Sequence, residues 1–130
     1  MAKFKVGPLV QEVAETFRVG TKAAPLVDAD KGKLVTVGSE GSQVVLGEAD
    51  GEIFGFLTSV EPSTQDGYKI GGVITKGYAL VDTGDVAVGE YVVIDSNPAS
   101  GTAGKTKVKK ATGTPKYLWQ VVDTGVIRKV

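Results

Sequence analysis

Residues 73–95 read VITKGYALVDTGDVAVGEYVVID, and this stretch decides the fold. Val73, Ile74, Tyr78, Leu80 and Val81, followed by Tyr91 to Ile94, are β-branched, aromatic or aliphatic residues in short runs, each closed by a turn built on glycine. Val86-Ala87-Val88-Gly89-Glu90 reverses the chain between pairing segments, with Gly89 free to take the positive φ that other residues resist. Nothing in the stretch is catalytic in character. It encodes a β scaffold, so function is to be sought on the surface.

The same punctuation extends outward in both directions. Lys33 to Val37 and Ser42 to Leu46 flank Gly38-Ser39-Glu40-Gly41, and Glu52 to Val60 follows the turn Glu48-Ala49-Asp50-Gly51. Pro62 to Gly67 reads as a polar turn leading into Tyr68 to Thr75. Beyond the central stretch, Ser96 to Gly104 consists of small and structure-breaking residues, which predicts a mobile surface loop. Lys105 to Ala111, Tyr117 to Val122 and Val126 to Val130 complete a set of about ten strands.

Towards the N-terminus the signals mix. Leu9, Val10, Val13, Ala14 and Phe17 suit a short helix after Pro8, whereas Thr16 to Val19 suit a strand; the expectation is a loop or short helical turn leading into a strand. The expected division is an arm over residues 1–14 and a single β-barrel domain over 15–130. With 18 glycines and no helical pattern of ten or more residues between strands, the fold class is all-β: a small β-barrel, β-tulip or sandwich with at most one short helix.

Composition narrows the chemistry. The chain lacks both cysteine and histidine, which removes disulfides, thiolate metal sites, the commonest general base and the usual switch near neutral pH. No enzymatic activity, cofactor or metal is therefore expected. The longest apolar runs fall far short of the roughly 20 residues that cross a bilayer, so a soluble protein made in the cytoplasm is expected. Formal charge is zero but polarised: residues 1–99 carry 8 basic against 14 acidic groups, and residues 100–130 carry 7 against 1. Such polarity suits contact between copies, or with a neighbour of opposite sign, better than direct nucleic-acid binding.

Several constellations have a plain reading beside a functional one. Asp28-Ala29-Asp30-Lys31-Gly32 opens like a calcium loop, but glycine stands fifth and Ser39 twelfth, so a solvated turn is the better reading. Lys31 in the same hairpin is a poor match to a lipoyl-bearing lysine. Gly101 to Gly104 lies between no strand and helix, and so is a turn rather than a phosphate cradle. Glu48, Asp50 and Glu52 read as a solvated acidic turn.

Two segments are candidates for contact between subunits. Lys105, Lys107 and Lys109 share one face of a strand, where they either protect a sheet edge or meet acidic groups on a neighbour. Tyr117 and Trp119 belong to a strand apolar on both faces, which is either central in the barrel or covered by another subunit.

The succession Gly77-Tyr78-Ala79-Leu80-Val81, Val86 to Asp95, Lys107 to Ala111, Trp119 to Asp123 and Gly125 to Arg128 resembles the capsid decoration, or structural cement, proteins of tailed bacteriophages. The resemblance is a run of turns and strands over about residues 30–130. It implies a homotrimer on the outer surface of the virion that binds the phage major capsid protein and reinforces the shell. Within it, Ala2, Lys3, Phe4, Lys5 and Val6 are the expected capsid-binding arm, adding a strand to a capsid edge. Lys105, Lys107, Lys109, Tyr117 and Trp119 are the expected subunit interface. The competing reading is a ligand- or carbohydrate-binding β-sandwich module, for which exposed aromatic side chains are few.

Overall fold

A computed structural model describes residues 13–130, which form ten strands and one turn of 3₁₀ helix, Asp28–Asp30. The fold is all-β. The expected capsid-binding residues Ala2 to Val6 lie outside the described residues.

Five strands close into a barrel: β1 (Val13–Val19), β2 (Leu34–Val37), β3 (Gln43–Leu46), β4 (Gly55–Gln65) and β5 (Tyr68–Lys76), in the order β1-β3-β2-β4-β5 with β5 returning to β1. Residues 13–19, where helix and strand signals compete, are wholly strand: β1 is held between β5, antiparallel, and β3, parallel. Pairing on both sides overrides the local helical spacing.

The β4–β5 hairpin is longer than its sequence suggests, since β4 continues through Pro62 to Gln65 and the reversal takes only Asp66-Gly67. Both turn residues have positive φ, 53° and 84°, the geometry that matches a two-residue turn to the twist of its strands. Pro62 is accommodated because the register shifts between Val60 and Thr64, so no regular ladder bond is needed from it.

After β5 the chain leaves the barrel. β6 (Tyr78–Leu80), β10 (Val126–Lys129) and β9 (Trp119–Asp123) form a three-stranded sheet in the order β6-β10-β9, while β7 (Val92–Ser96) and β8 (Lys107–Lys110) pair as a ribbon. A bridge from Tyr91 to Gln120 ties ribbon to sheet.

Two apolar clusters result. Val19, Val35, Val44, Leu57 and Val73 fill the barrel; Leu34, Ile53, Val92, Ile94, Trp119 and Ile127 fill the space between barrel, sheet and ribbon. Leu34 and Val35, adjacent on β2, point to opposite faces and so serve one cluster each. Phe17, Phe54 and Tyr117 connect the clusters as successive edge-to-face pairs, with ring centroids 5.4 and 5.5 Å apart.

Candidate interaction surface

Period-two alternation on β6 sends Ala79 into the core and Tyr78 and Leu80 outward. The outward residues are 45% and 63% exposed, on a strand without any charged side chain. The register extends this face across the sheet: Tyr78 lies opposite Arg128 and then Gln120, while Leu80 lies opposite Val126. An apolar row thus adjoins a row centred on a cation. Val130, 52% exposed, ends the strand beside it, and its N–H donates to the Leu118 carbonyl. Among the described residues, Arg128 Nε is buried without a hydrogen-bond partner.

Among the described residues β6 pairs only with β10. Lys129 N–H donates to the Gly77 carbonyl, and Val81 N–H to the Gly125 carbonyl, so residues 77, 79 and 81 direct their backbone groups towards β10. The N–H and C=O groups of Tyr78 and Leu80 therefore face away from β10.

The lysines of β8 occupy a different face, where acidic groups of the same chain meet them. Lys107 Nζ lies 3.8 Å from Asp95, Lys109 Nζ 2.5 Å from Asp50 and Lys110 Nζ 3.6 Å from Glu90. Together with residues 83–87, they line an open groove of about 430 Å³. The hydrogen bond to Asp50 raises the Lys109 pKa above its ordinary value; partial desolvation opposes this and the nearby Asp50 and Asp95 charges add to it. Lys105 is exposed at the head of the ribbon, beside residues 81–84 and 124–125.

Tyr117 and Trp119 both turn inward. Tyr117 is half-buried against Phe54, and Trp119 is fully enclosed by its own chain, which leaves it no surface for a partner. The strand is apolar on both sides because it packs within the subunit.

The acidic motifs are dispersed in the same way. Asp50 faces Lys109, whereas the Glu52 carboxylate accepts hydrogen bonds from the N–H groups of Lys116 and Tyr117 at 3.0 and 3.1 Å. The turn is solvated as expected, with Glu48 and Asp50 exposed, and Asp50 and Glu52 in addition anchor neighbouring segments. No group of three or more metal-binding side chains occurs among the described residues.

Asp28 and Asp30 also diverge. Asp28 is exposed beside Lys31 at 3.9 Å, but Asp30 is fully buried and 2.6 Å from the equally buried Lys33. The Asp30 carboxylate further accepts hydrogen bonds from Val27 N–H, Ser100 Oγ and Gly101 N–H, while Lys33 donates to the Ala99 carbonyl. Burial pushes the Asp30 pKa up, yet Lys33, the two backbone N–H groups and Ser100 outweigh it and hold the carboxyl below its ordinary value.

The polar centre changes the reading of Ser96 to Gly104. This segment is tied down at Ala99, Ser100 and Gly101, and Asn97 fastens its start by donating to the carbonyls of Leu34 and Gly47 at 3.1 and 2.7 Å. Thr106 hydrogen-bonds to Asn97 and accepts from Leu34 N–H. The segment is a surface loop as expected, and its small residues let it lie close to the polar centre.

No known protein family, curated protein or solved structure matches the chain.

Proposed function

We propose that this protein is a virion structural protein that binds the outside of a phage capsid shell as a homotrimer and stabilises it. The observation that supports the reading best is the outer face of β6, with Tyr78 and Leu80 exposed on a β body with two apolar clusters. Apolar side chains presented on a short uncharged strand suit burial against another protein surface.

A reinforcing part also has to hold its own shape. The buried Asp30–Lys33 pair and the lysine–carboxylate contacts of β8 use polar groups to fasten segments of the subunit together. Three linked copies would then convert weak single contacts into tight attachment through effective concentration. The resemblance of residues 30–130 to decoration proteins points in the same direction, and the partner implied is the major capsid protein.

A carbohydrate-binding module would present aromatic platforms, whereas among the described residues Tyr78, 45% exposed, is the one aromatic residue that is not half-buried or buried. The test is co-sedimentation with expanded empty heads of the phage that encodes the chain, together with the solution mass by light scattering. A trimer retained on expanded heads is expected. A protein that stays in the supernatant at every head concentration would overturn the proposal.

A further inference from the structure

We infer that Asp66-Gly67, the turn between β4 and β5, is a site of spontaneous isoaspartate formation, whereas the chain's other Asp-Gly pair, Asp50-Gly51, is protected by its surroundings. This does not depend on the capsid reading.

The reaction needs only the chain and water. The Gly67 amide nitrogen attacks the side-chain carboxyl carbon of Asp66; its proton and the carboxyl's hydroxyl leave together as water, and a five-membered succinimide closes. Water then adds to one of the two ring carbonyls. Opening at the side-chain carbonyl restores aspartate, while opening at the main-chain carbonyl sends the backbone through the β-carbon and frees the former backbone carbonyl as the carboxylate. The mass is unchanged. Glycine after the aspartate matters because no Cβ shields the attacking nitrogen.

The two pairs start out alike. Both aspartates have positive φ, 66° at Asp50 and 53° at Asp66, and both side chains are largely exposed. What differs is the hold on the peptide between aspartate and glycine. Gly51 N–H donates to the Glu48 carbonyl at 2.9 Å. Asp50 N–H donates to the Ile94 carbonyl and Ile94 N–H to the Gly51 carbonyl, at 2.8 and 3.0 Å, so the pair is stitched to β7 from both sides. Lys109 also fixes the Asp50 carboxylate. Gly51 can attack only after these bonds open together.

At the β4–β5 turn the nitrogen is not so occupied. Gln65 and Tyr68 form the closing pair, so the turn's hydrogen bond takes the Tyr68 N–H and not that of Gly67. Arg18 lies 3.9 Å from the Asp66 carboxylate, beyond hydrogen-bond reach, and attracts the group without fixing it. The Lys22 stem passes beside Gly67, and Lys22 and Arg18 both stand over the Tyr68 ring, so cations flank the amide whose proton must leave. Residues 61–67 are exposed on both faces of the hairpin, and the register shift between Val60 and Thr64 loosens the ladder below them. Opening there breaks few contacts. The product has one more main-chain atom than the two-residue turn accommodates, so the hairpin tip loosens as the protein ages.

The test is ageing of the intact protein in mildly acidic buffer made with heavy-oxygen water, followed by peptide mapping with fragmentation that distinguishes the two linkages. Isoaspartate carrying one heavy oxygen should accumulate at position 66 at least about tenfold faster than at position 50, the factor set by the bonds that must open at Asp50-Gly51. In urea, where both pairs are released, the two rates should converge. Equal accumulation at both positions in the folded protein, or faster reaction at position 50, would overturn the inference. So would no isoaspartate at position 66 over a period in which the unfolded chain converts there, or a rate difference that persists unchanged in urea and therefore owes nothing to the fold.

Discussion

Lys33 Nζ lies 2.6 Å from Asp30 Oδ1 with both side chains fully buried, and the two belong to segments that also hold the loop around Ser100. Removing the cation alone would strand a charged carboxylate in the interior. Lys33→Met is expected to cost about 3–5 kcal/mol, read as a lower urea midpoint with an unchanged slope.

Asp30 also sets the acid limit. Its folded pKa lies below its ordinary value of 3.8, so the folded state favours the carboxylate. The resulting stabilisation is present above the unfolded value and is lost as pH falls through the lower folded value. The urea midpoint of the native chain should fall on acidification through that window, and Asp30→Asn, less stable at neutral pH, should show a shallower decline. Parallel curves for the two proteins would contradict the assignment.

The Lys109–Asp50 contact is the alkaline counterpart. Its raised pKa means a contribution that is complete below the unfolded value of 10.5 and disappears as pH rises through the folded value. Asp50 is largely exposed, so salt should screen the pair. Lys109→Glu should lower thermal stability at low salt, the deficit should shrink in high salt, and Asp50→Lys should restore part of it. The double-mutant cycle measures the coupling.

Trp119 is the chain's single tryptophan and is completely buried. Its fluorescence should be shielded from iodide until the protein unfolds, and Trp119→Ala should cost about 3–5 kcal/mol. Quenching of the folded subunit as efficient as that of the unfolded chain would place this residue outside the core.

Where local pattern governs, the sequence is transparent. Gly89 adopts positive φ in the anticipated turn, and Lys33 to Val37, Tyr68 to Thr75 and Tyr91 to Ile94 fall on strands within a residue or two. Long-range pairing is less legible. The parallel contact of β1 with β3 joins residues more than twenty positions apart, and nothing in Thr16 to Val19 announces it. Polarity misleads at Asp30 because a carboxylate buried against Lys33 has the same letters as a solvated turn. The run from Ser96 to Gly104 is legible as a surface loop, but its contacts with the polar centre are not, because small residues suit close backbone approach as well as freedom. Of the candidate surface, Tyr78 and Leu80 were visible as strand residues, but their exposure depends on β6 leaving the barrel after Gly77.

Attachment to a capsid through the β6 face is the proposed role. The most direct measurement compares the native chain with Leu80→Glu for binding to expanded empty heads by co-sedimentation, after circular dichroism has shown both to be folded. Saturable binding of the native chain is expected, with at least about a tenfold loss of affinity for the variant, as for a buried apolar contact. Equal binding of both would remove β6 from the interface, and no binding of the native chain would contradict the capsid reading itself.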